Sequence, residues 1–410
     1  MWCADLPGTT TQHRSLSLLS RSLWGMAMRV RLNPAVRLIP PSQVTGEHWQ
    51  AEDLLERRRF SLTRRAAAAL TASCSVREPN DLAAALAGGE DERGWQGVVA
   101  NLTKHGLIVD ENALTDDPRL AWFVRLRQAW SSRGWHEAAE YHLLSFDYPC
   151  VDYSEARAFQ YDQDLMRSFQ AREPDDDRFK LDYSDAPGVP LPEPSVNTLS
   201  GTTHDIWVSP AATETVSFAK IANIISLAFG ATGFFTTRTN ASPLLRRTSP
   251  SGGARHPSEG YAVILDVPEV EPGWYHITMQ PFSLRRLDGR PTDKAELSRL
   301  FPLTFERFPL EFACLIVITC RFERNMYRYR EPRTFRTVHM DAGHIAGTIR
   351  MAARAMGLTA GISMCDHATE IESAIGIDGM AEGYMLTVAL SAGIDRRDSA
   401  PQDGEVNGTH

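Results

Sequence analysis

"RRTSPSGGARHPSEGYAVIL", Arg246–Leu265, joins a loop of small residues to an apolar run that is typical of a buried strand. Gly252 and Gly253 lack side chains, so the backbone N–H groups there can approach a ligand closely. Hydroxyl and guanidinium groups around these glycines suit a phosphate or a reduced anionic ring. They belong to Arg246, Arg247, Ser249, Ser251 and Arg255.

The spacing of this loop matches neither of two phosphate-binding motifs, G-x-x-x-x-G-K-[ST] and G-x-G-x-x-G. Two interpretations therefore remain open on the residues of the loop alone. The loop either holds a ligand against its glycines, or it is a glycine turn flanked by solvated arginines.

Length and composition limit the classes of protein to consider. A chain of 410 residues predicts two domains, and a formal net charge of -8 argues against a general nucleic-acid binder. The six cysteines form no C-x-x-C pair, which predicts free thiols in a reducing cytoplasm. No apolar run reaches the roughly 18 residues of a membrane helix. Arg14 and Arg21 interrupt the N-terminal segment, so no secretory signal is expected there.

Changes in composition predict six segments along the chain. Residues 1–28 are expected to be unstructured, 29–118 to form a winged-helix-like module, 119–170 an aromatic-rich helical connector, 171–198 a proline-rich and acidic linker, 199–397 an α+β domain, and 398–410 a disordered tail. The predicted fold class is α+β, with a smaller module ahead of the main domain.

The winged-helix prediction depends on three short helices followed by a strand. Thr63 is a predicted N-cap of the first helix, Gly88 ends the second, and Gly106 ends the third before the apolar Leu107–Val109. Proteins with this fold bind DNA in some cases and peptides in others. Acidic residues are as frequent as basic ones in this segment, which favours a peptide-binding module.

The second half alternates helices and strands. It contains a predicted hairpin around Pro281, a buried strand at Phe312–Cys320 and a helix of small residues from Met340 to Gly357. Asp341, which is expected to cap that helix, shares a helix face with His344. A metal ion would need a third convergent ligand, for which only the Asp366–His367 pair is near in sequence, so we predict no metal site.

Three blocks, in this order, carry a resemblance to a known family: Arg246–Ile277, Arg333–Leu358 and Ala374–Gly393. The first contains R-x-x-P-S-G-G-A-x-H-P-x-E-x-Y and the second R-x-F-R-x-x-x-x-D-A-G-H. From about Gly201 to Gly393 the chain resembles the SagB-type (McbC-like) FMN-dependent dehydrogenases of the nitroreductase superfamily. These enzymes oxidise azoline rings in ribosomally made peptides. The resemblance implies a nitroreductase-like FMN domain with a central mixed sheet flanked by helices.

The resemblance also implies an FMN site at a homodimer interface. The cofactor-binding residues that it implies are Thr202, His204, Arg246, Arg247, Ser249, Pro250, Ser251, Gly252, Gly253, Gly361, Arg396 and Arg397. Thr202 and His204 stand where the family usually has basic residues that grip the FMN phosphate. Arg396 and Arg397 occupy a place where a basic side chain often holds it, with a solvated pair as the alternative.

The implied catalytic residues depart from the family pattern. Many azoline oxidases carry a Lys-Tyr pair shortly before the second block, and this chain has none. Arg328–Tyr329 is the nearest basic-aromatic pair, with Tyr327 beside it. Arginine stays protonated, whereas a tyrosine could act as a base if an arginine stabilised its anion. The alternative is that these side chains face substrate or serve the fold.

The leading hypothesis is an FMN-dependent dehydrogenase that oxidises thiazoline or oxazoline rings to azoles in a precursor peptide. Its expected partners are that peptide, a cyclodehydratase or other peptide-modifying enzymes, and a second copy of the chain. One alternative is an NAD(P)H-dependent flavin reductase of nitro, quinone or dehydroamino-acid groups. Another is a flavin-less subunit that docks the precursor peptide for partner enzymes.

Overall fold

The structure is a computed structural model that describes residues 28–43, 46–146, 148, 150–173, 178–199, 215–236, 243–308 and 310–392. The chain divides into two compact units, Met1–Phe146 and Asp147–His410. In the described part, no helix is both long and apolar enough to cross a membrane. The cysteines described there are free, as predicted.

The first unit combines small antiparallel sheets with helices. Its strands are β1 (Val30–Leu32), β2 (Val36–Ile39), β3 (Trp49–Asp53), β4 (Arg58–Leu62) and β5 (Ile108–Asp110). Its helices are α1 (Arg64–Ala72), α2 (Pro79–Ala87), α3 (Glu92–Lys104), α4 (Ala113–Asp116), α5 (Pro118–Ser131) and α6 (His136–Ser145). Strands β2, β3 and β4 form one sheet in that order, and β1 pairs with β5.

Local sequence signals set the ends of the first helices. The Thr63 side chain accepts a hydrogen bond from the backbone N–H of Ala66 and so caps α1, as predicted. Gly88 ends α2 in the left-handed conformation that glycine adopts without strain. Helices α5 and α6 of the aromatic-rich segment also belong to this unit, where Leu120 and Leu143 join a buried cluster. The winged-helix assignment stays a prediction.

The second unit is built around a large sheet. Its strands are β6 (Gly188–Pro190), β7 (Ala231–Phe235), β8 (Leu244–Arg247), β9 (Ser258–Ile264), β10 (Gly273–Met279), β11 (Phe282–Leu287), β12 (Phe312–Arg321), β13 (Thr359–Ser363) and β14 (Glu382–Ser391). Its helices are α7 (Ala158–Gln170), α8 (Phe218–Phe229), α9 (Lys294–Leu300), α10 (Pro302–Arg307), α11 (Glu323–Met326), α12 (Thr334–Ala355) and α13 (Ala368–Ile375). The sheet has seven strands in the order β13-β14-β12-β9-β10-β11-β6.

The central strand β12 shows why this sheet is covered on both faces. Its side chains alternate between two cores, with Ile316 in one and Val317 in the other. Helices α8 and α12 supply the first core, and α9 and α13 the second. A strand buried on both faces needs a continuous apolar run, which is what Phe312–Cys320 has.

Strand direction differs from the expectation of a mixed sheet. Every strand pair described in the seven-stranded sheet is antiparallel, including the hairpin of β10 and β11 around Pro281. An apolar run marks a strand as buried but does not encode its direction, so the sequence pattern could not separate the two cases. Helix α12 also begins at Thr334, six residues ahead of the predicted Met340.

The segment predicted as a linker, 171–198, contributes to the second unit where it is described. Strand β6 pairs with β11 at the edge of the sheet, a position that tolerates Pro190. Lys180 is buried, and its ammonium group donates hydrogen bonds to Tyr261 and Glu382, each at 2.7 Å. The proline-rich, acidic composition hides this role, because the two anchoring interactions depend on partners far along the chain.

Candidate functional site

The small-residue loop, 248–257, connects β8 to β9 and packs against α12. Asp341 of α12 is buried and accepts hydrogen bonds from Ser251 Oγ at 2.6 Å and from the backbone N–H of Gly252 at 3.1 Å. Burial raises the pKa of Asp341, and these two hydrogen bonds oppose that rise. Asp341 lies inside the helix, so the expectation that it caps the helix is wrong: its carboxylate anchors the loop.

Both loop glycines are required by contacts within the protein. A Cβ atom at Gly252 would overlap Thr337 Cγ2 on α12. Gly253 has a φ of 61°, in the left-handed region, and a Cβ atom there would overlap the Tyr329 hydroxyl. The glycines therefore bring the loop against helix α12 and Tyr329, in addition to any ligand that they admit.

The two serines that were predicted to bind a ligand, Ser249 and Ser251, use their hydroxyl groups in hydrogen bonds within the protein. Ser249 Oγ donates to the Ala228 carbonyl at 3.1 Å and lies 2.9 Å from Thr348 Oγ1. Ser251 Oγ is held by Asp341, as described above. Neither hydroxyl is turned toward solvent to bind a phosphate. The exposed positions are instead Thr248, Pro250 and Gly253 of the loop and Arg246 of β8.

The three arginines in or next to the loop differ in their exposure to solvent. Arg246 is exposed, with its guanidinium 5.3 Å from the centre of the Phe235 ring. Arg247 is buried, and burial lowers its pKa to about 10. Arg255 Nε donates to the Arg324 carbonyl at 2.6 Å. Only Arg246 of these three is exposed, and the other two are part of the wall behind the loop.

A buried charge network behind the loop escaped the sequence analysis. Glu259 lies 2.5 Å from an Arg324 nitrogen and 3.1 Å from His276 Nε2. Burial alone would raise the pKa of Glu259, but Arg324 and His276 together hold it well below its ordinary value. These residues come from separate elements, β9, α11 and β10, so no local motif in the sequence predicts that they interact.

His256 and His344 flank the loop in different environments. His256 is buried, and burial, reinforced by Arg247, lowers its pKa to about 3, so the ring is neutral. Its Nε2 donates to the Leu245 carbonyl at 2.9 Å. His344 is exposed on α12, and its Nδ1 donates to the Pro250 carbonyl at 3.0 Å. That bond sets the His344 tautomer and leaves Nε2 as the basic nitrogen.

Of the three predicted catalytic residues, Tyr329 is the one that packs against the loop glycines. Tyr329 places its hydroxyl against Gly253, and Arg328 lies 5.0 Å from the centre of the Tyr329 ring. Burial raises the pKa of Tyr329 despite the opposing charges of Arg328 and Arg255. The proposed tyrosinate base is therefore disfavoured, and Tyr329 is a neutral phenol. Tyr327 is buried against Met166 and Phe169.

Other predicted cofactor residues do not join this cluster. Gly361 lies on the edge strand β13, which two strands, β14 and β12, separate from β9. A Cβ atom at Gly361 would stand 3.1 Å from the Phe308 ring. Thr202, His204, Arg396 and Arg397 fall outside the described residues. The described site thus consists of the loop, the first turns of α12 and the tyrosine segment 327–330.

A comparison with known families decides what kind of domain holds this loop. Residues 211–393 match the Nitroreductase family. Over this part of the chain the match supports a nitroreductase-like fold. This part contains the loop, Tyr329 and α12.

Individual relatives match parts of the chain. The trifolitoxin-processing protein TfxB of Rhizobium leguminosarum bv. trifolii is 38% identical over 145 residues, which is 34% of this chain and 38% of that protein. A protein named as a nitroreductase, MJ1384 of Methanocaldococcus jannaschii, is 33% identical over 113 residues, or 27% of this chain and 54% of that protein. The chain therefore spans about half or less of these relatives.

A solved nitroreductase-type structure from Anabaena variabilis shares 20% identity and a TM-score of 0.41 with this chain, covering 57% of it and 45% of that chain.

Proposed function

We propose that the chain is an FMN-dependent dehydrogenase that oxidises azoline rings to azoles in a ribosomally made peptide. The observation that carries the proposal is the loop 250–253, held on α12 and against Tyr329 inside the segment that matches the Nitroreductase family. Similarity to a trifolitoxin-processing protein supports a role in maturing such a product.

The exposed side of the loop suits a flat, anionic cofactor. Pro250 and Gly253 face outward, and the space above Gly343 and Gly347 on the adjacent α12 holds no atom within 4 Å of an added Cβ. A planar ring needs such a surface free of side chains. Arg246 is an exposed cation for the negative end of the cofactor. FMN fits these features, and when bound it supplies a two-electron acceptor.

Azoline oxidation removes a hydride and a proton from adjacent ring atoms, so the proton needs an acceptor on the protein. Tyr329, with its raised pKa, is a hydrogen-bond donor that can orient the ring. We assign the proton to Nε2 of His344, because Nδ1 of that ring already donates to the Pro250 carbonyl. Azole formation compensates the loss of two electrons with aromaticity.

The cofactor and the reaction are tested on the full-length protein. We expect visible flavin absorbance after purification or after reconstitution with FMN, and the loss of two hydrogen atoms from a cyclised peptide by mass spectrometry. A colourless protein that cannot be reconstituted would contradict the proposal. Rapid bleaching by NADPH alone, without change in the peptide, would identify the reductase instead.

The role of His344 has a matched pair of variants. His344→Asn keeps a donor for the Pro250 carbonyl but removes the basic nitrogen, so turnover should fall by about a hundredfold with flavin content unchanged. His339 is an exposed histidine of the same helix, and its Nδ1 makes the same kind of bond, to the Phe335 carbonyl at 2.9 Å. His339→Asn should leave turnover unchanged. Equal activities for the two variants would remove His344 from the mechanism.

We further propose that the first unit holds the precursor peptide in a groove between β4 and α3. Strand β4 is an edge of its sheet, so one side of its backbone is open to an added strand. The groove has a volume of about 600 Å³, with Phe60, Leu62 and Val98 among its apolar lining residues. An extended peptide fits both the open strand edge and the apolar floor.

The exposed face of α12 is the surface that we propose for a second copy of the chain. Phe335, Met340 and Met351 are exposed along it. Light scattering should report a dimer, and Met340→Glu should yield monomers. A monomeric wild-type protein would refute this assignment.

A further inference from the structure

Helix α7 lies upstream of the nitroreductase match, yet it packs on the tyrosine segment of the candidate site. Met166 and Phe169 of α7 contact Tyr327 in a buried cluster. The Phe169 ring lies 3.9 Å from the guanidinium of Arg330. An element outside residues 211–393 therefore forms part of the site's support.

Asp162 is the charged residue of α7 that contacts the tyrosine segment, 327–330. It is 2% exposed and forms an ion pair with Arg328, whose side chain is also mostly buried. The Asp162 carboxylate also interacts with Tyr153, whose pKa is raised by burial, by the charge of Asp162 and by a hydrogen bond to it. A buried carboxylate is costly for the fold unless it is paired, and the cation that pairs with Asp162 is Arg328.

From Asp162 a line of contacts leads to the loop. Arg328 is held by Asp162 and lies over the Tyr329 ring, and the Tyr329 hydroxyl meets Gly253. Arg328 thus has one partner on each side. Without Asp162 nothing described on α7 would hold the guanidinium at the ring.

We propose that Asp162 is a positioning residue, which holds Arg328 over Tyr329 and so fixes the Tyr329 hydroxyl at the loop. The inference rests on the proposed function for its catalytic meaning, and on the contacts above for its geometry. A neighbouring ion pair, Glu173 with Arg330, lies at the surface and does not involve Tyr329. That pair is the matched control.

The ionisation of Tyr329 distinguishes positioning from a simple charge effect. The charged groups that act on it are Arg328 and Arg255, which lower its pKa, and Asp162 and Glu331, which raise it. Losing only the charge of Asp162 would move the ionisation to lower pH. If the Arg328 guanidinium also left the Tyr329 ring, the ionisation of Tyr329 would move to higher pH. The reason is that Arg328 lowers the pKa of Tyr329 by more than Asp162 raises it.

The test is alkaline difference absorbance of tyrosine on the full-length protein. From each spectrum, that of the same protein with Tyr329→Phe added is subtracted, because Asp162 also affects the pKa of Tyr153. In Asp162→Asn the ionisation of Tyr329 should move to higher pH, as in Arg328→Gln, which breaks the same link from the other side. Glu173→Gln should leave it unchanged. A move to lower pH, or none, in Asp162→Asn would overturn the proposal, and Arg328→Gln carries the test if that variant does not fold.

Turnover supplies the second readout. Asp162→Asn should lower kcat by about tenfold or more with KM nearly unchanged, and should add no further loss in a Tyr329→Phe background. Independent losses in the two backgrounds would overturn the positioning role. If the protein oxidises no azoline, the proposed function fails, and the tyrosine titration still decides the role of Asp162.

Discussion

Ser251 donates a 2.6 Å hydrogen bond to Asp341, which ties the glycine loop to the N-terminal part of the longest helix described. The carboxylate also accepts from the Gly252 N–H, so one buried side chain organises two consecutive loop residues. The loop is therefore shaped by the protein before any ligand arrives. Substitutions in it will report on this packing first and on cofactor binding second.

Gly252→Ala should destabilise the fold by about 1–3 kcal/mol, because the added methyl group overlaps Thr337 Cγ2. Thr337→Ser removes that methyl carbon and keeps the hydroxyl, so the double variant should recover most of the loss. Chemical denaturation of the four proteins in the cycle measures this. If the double variant stays as unstable as Gly252→Ala, the contact with Thr337 is not the cause.

The free energy of unfolding should depend on pH because of the protonation of His256. Its pKa falls from 6.5 to about 3 on folding, so between these values the unfolded chain binds a proton that the native protein excludes. Stability is therefore retained above pH 6.5 and lost as the pH falls, by about 5 kcal/mol in all.

Denaturant titrations between pH 6.5 and 5 isolate this effect, since the pKa of Glu259 is lowered from 4.5 and that group titrates only in more acidic solution. His256→Gln can still donate to the Leu245 carbonyl but does not titrate. Its stability should be flat over the same interval. An equal slope in both proteins would contradict a buried, neutral His256.

Periodic and apolar patterns allowed most elements of the second unit to be predicted from sequence. The strands at Tyr261 and Phe312 and the hairpin at Pro281 were recognisable because each signal is local. Strand direction was not, since it depends on the path of the chain between strands. The start of α12 was also missed, because Thr334–His339 lacks the small-residue pattern that marks the rest of the helix.

The candidate site was predictable only where one motif contained it. The loop and Tyr329 could be found from sequence, whereas the internal use of Ser249 and Ser251 could not, because their partners lie on α8 and α12. Asp162 lies 166 residues before Arg328, in a segment with no recognisable motif. A contact between residues so far apart along the chain cannot be recognised from a single sequence.

Lys180 makes the linker prediction testable. Its ammonium group and the Glu382 carboxylate are both buried, so Lys180→Met leaves an unpaired charge and should cost about 3–5 kcal/mol. Adding Glu382→Gln removes that charge and should restore part of the stability. Unfolding free energies for the cycle provide the measurement. A cost near zero for Lys180→Met would mean that the segment is a loose linker, as its composition suggests.

Gly97 offers a way to close the proposed peptide groove without disturbing the fold. It lines the groove on α3, and an added Cβ there meets no atom within 4 Å. Gly97→Leu should therefore fold at least as well as the wild type, since leucine favours a helix by about 1 kcal/mol over glycine. Its side chain would occupy the space that a bound strand needs.

Ala100→Leu is the matched control, because Ala100 is exposed on the same helix and does not line the groove. Fluorescence anisotropy with a labelled precursor peptide should show binding weakened by about tenfold or more in Gly97→Leu and unchanged in Ala100→Leu. Equal affinities would place the peptide elsewhere. Flavin absorbance should be the same in both variants, because the groove and the loop belong to different units.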